Sequence, residues 1–129
     1  MREEYPWCFG CGRDNPAGLK LEFTLEQGIY SAVFTPRREH QGYDGMVHGG
    51  IIAALLDEVM GDYVYELTGQ KAFTARLQLR YRQAAPIGQP LKAESSVLKR
   101  KGRLYEMKGE IFLSGGSLAA EAKGKIILA

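Results

Sequence analysis

Two glycines follow a histidine at His48-Gly49-Gly50, and an aspartate, Asp57, lies eight residues after the first of them. Glycine lets a backbone amide approach a ligand closely. At a helix start, amides without an internal acceptor also sit at the positive end of the helix dipole. Such amides suit the oxygen of a carbonyl that gains negative charge under attack, and a carboxylate suits the activation of water or the attack itself. At about 1.5 Å of rise per helical residue, Gly49 and Asp57 stand about 12 Å apart, too far to act on one carbonyl within one chain. If two copies set these helices antiparallel, Asp57 of one faces Gly49 of the other. The expectation is a dimer with two equivalent sites.

Other residues have weaker claims. Glu58 is either structural or a rival base, and His48 either positions the loop or moves a proton. Lys99-Arg100-Lys101-Gly102-Arg103 is a basic run at a turn, either simply solvated or able to hold phosphates. Cys8 and Cys11 are the only two cysteines, so a disulfide scaffold is not indicated. A structural zinc site almost always takes four protein donors. A metal would therefore have to be shared between chains or completed by His40 or His48, and the expectation is packed thiols with no metal and no cofactor.

The elements that must position these residues are legible in the hydropathy pattern. Leu19, Leu21, Phe23 and Leu25 alternate with polar residues and predict a strand; Gln27-Gly28 predicts a turn, and a second strand spans 29–34, ended by Pro36. Residues 37–47 read as a loop, and Ile51 to Leu67 as one helix closed by Thr68-Gly69. Alternation over 73–81 predicts the next strand, and 91–99, 104–113 and 118–128 predict three more, with turns at Lys101-Gly102 and Gly115-Gly116. Gly109 and Gly124 sit inside strand patterns, where they either bend the strands or merely weaken them. Strands interrupted by a single helix predict an α+β fold, with the helix packed on one face of an antiparallel sheet.

With 129 residues the chain is one domain, and 45% hydrophobic with 25% charged residues is the balance of a globular protein. A net charge of +2 does not predict nucleic-acid binding. The longest apolar run, Ile51 to Leu56, is too short to span a membrane, and the acidic start Met1-Arg2-Glu3-Glu4 is unlike a signal peptide. A cytoplasmic protein with no membrane partner is expected.

The run His48-Gly49-Gly50-Ile51-Ile52-Ala53-Ala54-Leu55-Leu56-Asp57, the pattern HGGxxxxLxD, together with the element order resembles the hotdog-fold thioesterases of the phenylacetate-pathway (PaaI-type) branch. Cys8-Phe9-Gly10-Cys11-Gly12 and Asn15-Pro16-x-Gly18-Leu19 also look like the start of many members, so the resemblance covers nearly the whole chain. It implies a curved sheet wrapped around one central helix over residues 1–129, with 1–18 as an amino-terminal Cys-x-x-Cys segment. It further implies hydrolysis of an acyl-CoA substrate by a homodimer or homotetramer. Asp57 takes the place of the family's general base or nucleophile, Gly49 that of the oxyanion amide, and Thr74 that of a hydroxyl holding the attacking water. Some relatives carry an asparagine six residues before the histidine; here Gly42 stands there with Gln41 beside it, so that either Gln41 substitutes or the contact is absent. Gly50 and the basic run Arg100 to Arg103 are the remaining substrate-binding candidates. Met46, Met60, Tyr63 and Phe73 are candidate pocket residues. A non-catalytic acyl-CoA-binding module and a hotdog dehydratase are the alternatives.

Overall fold

The computed structural model describes residues 2–129. Six strands and one long helix follow in the order β1 (Thr24–Glu26), β2 (Ile29–Phe34), α1 (Gly49–Thr68), β3 (Ala72–Tyr81), β4 (Leu91–Lys101), β5 (Leu104–Phe112) and β6 (Leu118–Leu128), with a short 3-10 turn at Arg38–His40 before the helix. The strands form one antiparallel sheet in the order β1-β2-β4-β5-β6-β3. Gln27 and Gly28 both take positive φ, 50° and 77°, and close the β1-β2 hairpin as a type I′ turn requires.

Helix α1 touches β2, β3, β4, β5 and β6. Five strands spaced about 4.8 Å apart span about 19 Å, whereas a helix is only about 10 Å wide, so the sheet must curl for all five to reach it. This is the helix-in-curved-sheet architecture that the resemblance implies. Ile52, Leu55, Leu56, Val59, Met60, Tyr63 and Val64 form the buried stripe of the helix at three- and four-residue spacing. The opposite stripe, Asp57, Gly61 and Tyr65, borders a cavity.

Two sequence expectations need correction. The helix begins at Gly49 rather than Ile51, because His48 is its N-cap and its Nδ1 accepts the Gly50 N–H at 2.8 Å. The first strand begins at Thr24 rather than Leu19. Leu19 and Leu21 are buried as the alternation implies, but Lys20 takes a φ of 53°, and the Leu19 and Leu21 amides donate to the carbonyls of Phe9 and Gly10 rather than to a strand. At Gly109 and Gly124, where bending and weakening were both open, the ladder keeps its register. The register shifts lie at Thr74/Arg76, Val97/Lys99 and Ile111/Phe112.

The two glycines instead bring the helix close to the sheet. A Cβ on Gly109 would stand 3.1 Å from Leu56 Cδ2, and one on Gly124 would stand 3.1 Å from Met60 Cε. Gly109→Val therefore overpacks the helix-sheet contact and lowers stability by about 1–3 kcal/mol. The midpoint of urea unfolding is the measurement, and an unchanged midpoint would remove the close-approach argument.

Residues 2–11 lie against α1, whereas Leu19, Leu21 and Phe23 pack into or against the core. Arg2 donates to Asp62 Oδ2 at 2.7 Å and to Glu66 at 3.3 Å, and the Tyr5 ring meets the Tyr65 ring edge-on at 5.7 Å. Asp62 is buried on the helix and also accepts the Tyr30 hydroxyl at 2.5 Å. Burial, together with the Asp62 carboxylate, pushes the Tyr30 phenol well above its usual pKa, so it remains a donor. The charge of Asp62 is thus matched by Arg2, and the segment is tied to the helix.

Candidate active site

Asp57 is half-buried near the middle of α1, one turn before Gly61. Thr74, at the start of β3, donates its hydroxyl to Asp57 Oδ1 at 2.5 Å, a bond between residues that the resemblance names separately. A carboxylate fixed through one oxygen presents the other in a defined direction, and Oδ2 has no protein partner among the described residues. Both residues line a cavity of about 780 Å³ whose walls include Tyr5, Trp7, Tyr65 and Phe73. The site therefore combines one polar pair with an aromatic wall.

The beginning of α1 is the second locus. Gly49 is the first helical residue, so its amide has no acceptor within the helix. It makes no other hydrogen bond to the described residues. Its carbonyl accepts the Tyr81 hydroxyl at 2.8 Å, which fastens the helix start to the far end of β3. The Gly50 amide differs: it is spent on His48 Nδ1, so Gly50 does not offer a second free donor. Holding that bond makes Nδ1 the acceptor and leaves Nε2 as the other nitrogen of the ring. His48 and Gly49 line a separate cavity of about 720 Å³ with Gly42, Met46 and Tyr81. Asp57 and Gly49 thus open onto different cavities of the chain, as the helix rise requires.

The remaining candidates distribute as follows. Gly42 packs beside His48, where a Cβ would stand 3.5 Å from His48 Cα. Gln41 is turned back onto its own loop, its Oε1 accepting the Gly45 amide at 3.2 Å. Arg100, Lys101, Gly102 and Arg103 form the exposed β4-β5 tip, with the Arg100 guanidinium 5.3 Å from the Tyr105 ring centroid. Of the pocket candidates, Phe73 borders the Asp57 cavity and Met46 the Gly49 cavity. Met60 and Tyr63 belong to the core instead, Met60 fully buried and Tyr63 stacked on Tyr30 at 4.9 Å. They lie on the sheet-facing stripe of the helix, which apolar character alone does not distinguish from a pocket wall.

Glu58 is displaced from Asp57 by one helical step and faces the amino-terminal segment, where Cys8 Sγ lies 3.7 Å from its Oε1. Burial pushes its carboxyl above the usual range, and the Asp62 and Asp57 charges add to that, while bonds from both thiols oppose it. Neither His40 nor His48 joins the thiols: His40 Nδ1 accepts the Arg37 amide at 2.9 Å and His48 Nδ1 that of Gly50. Burial lowers the His40 pKa, with the Arg37 charge adding to it. Sequence reading did not single out Asp62, Tyr81 or the aromatic wall from Tyr5 and Trp7. Their place depends on contacts between distant segments, and only an acid inside an apolar helix, Asp62, carried any local signal.

A family model described as the thioesterase superfamily matches residues 44–120, well over half of the chain, which therefore belongs to that superfamily. Acyl-coenzyme A thioesterase THEM5 of Mus musculus is 36% identical over 111 residues, covering 62% of this chain and 44% of the relative. The chain thus spans less than half the length of that relative. The thioesterase superfamily protein RHA08564 superimposes with a TM-score of 0.81 at 28% identity, over 90% of this chain and 60% of its own. BH2602 from Bacillus halodurans, solved with CoA, gives 0.77 at 25% identity over 86% of this chain and 75% of its own. The E. coli PaaI protein of the phenylacetic acid degradation operon shares the fold, with a TM-score of 0.75 at 17% identity over 86% and 80% of the two chains. No helix among the described residues is long and apolar enough to cross a membrane.

Proposed function

We propose that this chain hydrolyses an acyl-CoA thioester at a site made by two copies, with Asp57 from one and the Gly49 amide from the other. The observation that carries the reading is the placement of the two loci at opposite ends of one strand: Thr74 holds Asp57 at the start of β3, and Tyr81 holds Gly49 at its end. β3 is a sheet edge ten residues long, with Phe73 and Tyr81 55% and 53% exposed. A long unpaired edge of this kind invites another strand. Antiparallel pairing of β3 with its copy, centred between Leu77 and Gln78, sets Thr74 against Tyr81 of the partner subunit. Each Asp57 then meets a Gly49, and the two cavities join.

In that site Asp57 takes a proton from water held with Thr74, and the water oxygen bonds to the thioester carbon. The Gly49 N–H receives the developing oxyanion. Collapse breaks the carbon–sulfur bond, and the leaving thiolate takes the proton back, giving one carboxylic acid and one CoA thiol. The acyl group lies against Phe73 and the aromatic wall. CoA is bound by BH2602, and a basic surface for its phosphates is offered here by Arg100, Lys101 and Arg103. Lys101, Leu104, Ile127 and Phe73 form one row across four strands, which places the tip about 14 Å from β3 on the same sheet end as Thr74.

The test is thiol release from a panel of aryl- and alkyl-CoA thioesters by the purified chain. Release is expected from at least one class. Intact acyl-CoA binding without release from any substrate would replace the hydrolase with a binding module, and an enoyl product from a hydroxyacyl-CoA would identify a dehydratase. Replacing Arg100, Lys101 and Arg103 together with Ala raises KM by about tenfold with little change in kcat, because the tip contacts a part of the substrate that does not react. An equal effect on a substrate truncated to its pantetheine arm would remove the phosphate assignment.

A further inference from the structure

We propose that Cys8, Cys11 and Glu58 form a binding site for a zinc-class divalent cation, which clamps the amino-terminal segment onto α1 beside Asp57. One ligand atom from each residue lies within 4.8 Å of the other two. The two Sγ atoms stand 3.4 Å apart, and Cys8 Sγ lies 3.7 Å from Glu58 Oε1. Around tetrahedral zinc, with bonds of about 2.3 Å to sulfur and about 2.1 Å to oxygen, neighbouring donors are separated by about 3.5–3.8 Å. Two of the three separations are thus already close to those of ligands, and the third, between Cys11 and Glu58, is within 4.8 Å.

The backbone supports the same reading. The Cys11 amide points at Cys8 Sγ at 3.5 Å, aiming one N–H at a sulfur that would carry negative charge as a thiolate, and the Gly12 amide closes the turn on the Cys8 carbonyl at 2.9 Å. Gly10 and Gly12 have no room for side chains. A Cβ on Gly10 would overlap the Glu58 carboxyl, and one on Gly12 would overlap the backbone at Pro6 and Cys8. The loop is therefore shaped around the Glu58 carboxyl. Two soft sulfur donors favour zinc over magnesium or calcium, whose ligands are oxygens.

The donors come from two elements, the loop and the helix, so a bound cation joins them. Each coordinating thiol gives up its proton as the metal binds. Three protein donors leave one position of a tetrahedron for water, and the cluster borders the same cavity as Asp57, Tyr5 and Trp7. Asp62 adds negative charge nearby, its Oδ1 3.9 Å from Cys11 Sγ, while remaining paired with Arg2 and Tyr30. The clamp sets the position of the wall contributed by Tyr5 and Trp7. It does not depend on the proposed hydrolysis, because binding is measured without substrate.

The experiment uses the full chain, reduced and stripped with a chelator, with both thiols counted, then titrated with cobalt(II). One cobalt per chain is expected, with the intense visible bands of a tetrahedral ion and a thiolate charge-transfer band in the near ultraviolet, all abolished by zinc. Glu58→Gln preserves side-chain shape and is expected to weaken binding by about 100-fold, and Cys11→Ser at least as much. Zinc should also slow tryptic cleavage after the exposed Arg13. Fully reduced wild type that takes up no cobalt overturns the proposal. So does cobalt uptake that survives Glu58→Gln undiminished, and so does a Cys8–Cys11 disulfide as isolated whose reduced form ignores the metal.

Discussion

Asp57→Asn is expected to lower thiol release by about 10²- to 10⁴-fold, the scale of a lost general base. Asparagine keeps the size of aspartate, and its carbonyl oxygen still accepts the Thr74 hydroxyl that now lies 2.5 Å from Asp57 Oδ1. The ability to take a proton from water is what disappears. The loss should therefore fall on kcat, with KM and the melting temperature close to wild type. Steady-state kinetics of the folded variant decide the matter. Activity within a fewfold of wild type would transfer the base to another group, with Glu58 the nearest carboxyl in sequence.

Gly49→Pro tests the other half of the site and should lower kcat by about 10²- to 10³-fold, the usual cost of losing an oxyanion donor. Proline removes the amide hydrogen at the one kind of helical position that tolerates it, the first residue, where no internal bond is lost. His48 already has φ −61° and ψ 136°, the extended conformation favoured before proline. A Cβ at residue 49 would meet Tyr81 Oη at 3.4 Å, an ordinary contact. Circular dichroism should show the helix intact while activity is lost.

Mixing the two variants makes the dimer itself measurable. When equal amounts of Asp57→Asn and Gly49→Pro chains exchange freely, half of the dimers are mixed, and each has one site with both defects and one with neither. About a quarter of wild-type activity is then recovered from two nearly inactive proteins. No recovery after demonstrated exchange would mean that each site lies within one chain, and the proposed dimeric site would be withdrawn.

Much of this was legible in the order of the residues. Alternation placed β2 and β6 correctly and set the other long strands to within two residues, because a strand's side chains must divide between core and solvent in that period. The motif around Asp57 carried the family, and helix rise alone separated Asp57 from Gly49. Local pattern failed where a polar partner or a distant segment decided the outcome. His48 lengthened the helix by capping it, and the Cys8–Gly12 loop took the amides of Leu19 and Leu21 from the strand they were expected to extend. For Gly109 and Gly124 the pattern left bending and weakening open, because sequence cannot show that Leu56 and Met60 press against them.

The sequence by itself determined which residues face a core, where the chain turns and which side chains have chemistry to offer, since these follow from contacts within a few residues. Only the tertiary structure decided which of them meet. Thr74 reaches Asp57, Tyr81 reaches Gly49, Arg2 reaches Asp62, and Glu58 reaches Cys8 because strand register and helix packing bring together positions far apart in the chain. Such proximities depend on the simultaneous packing of several elements, and no periodicity within one element encodes them.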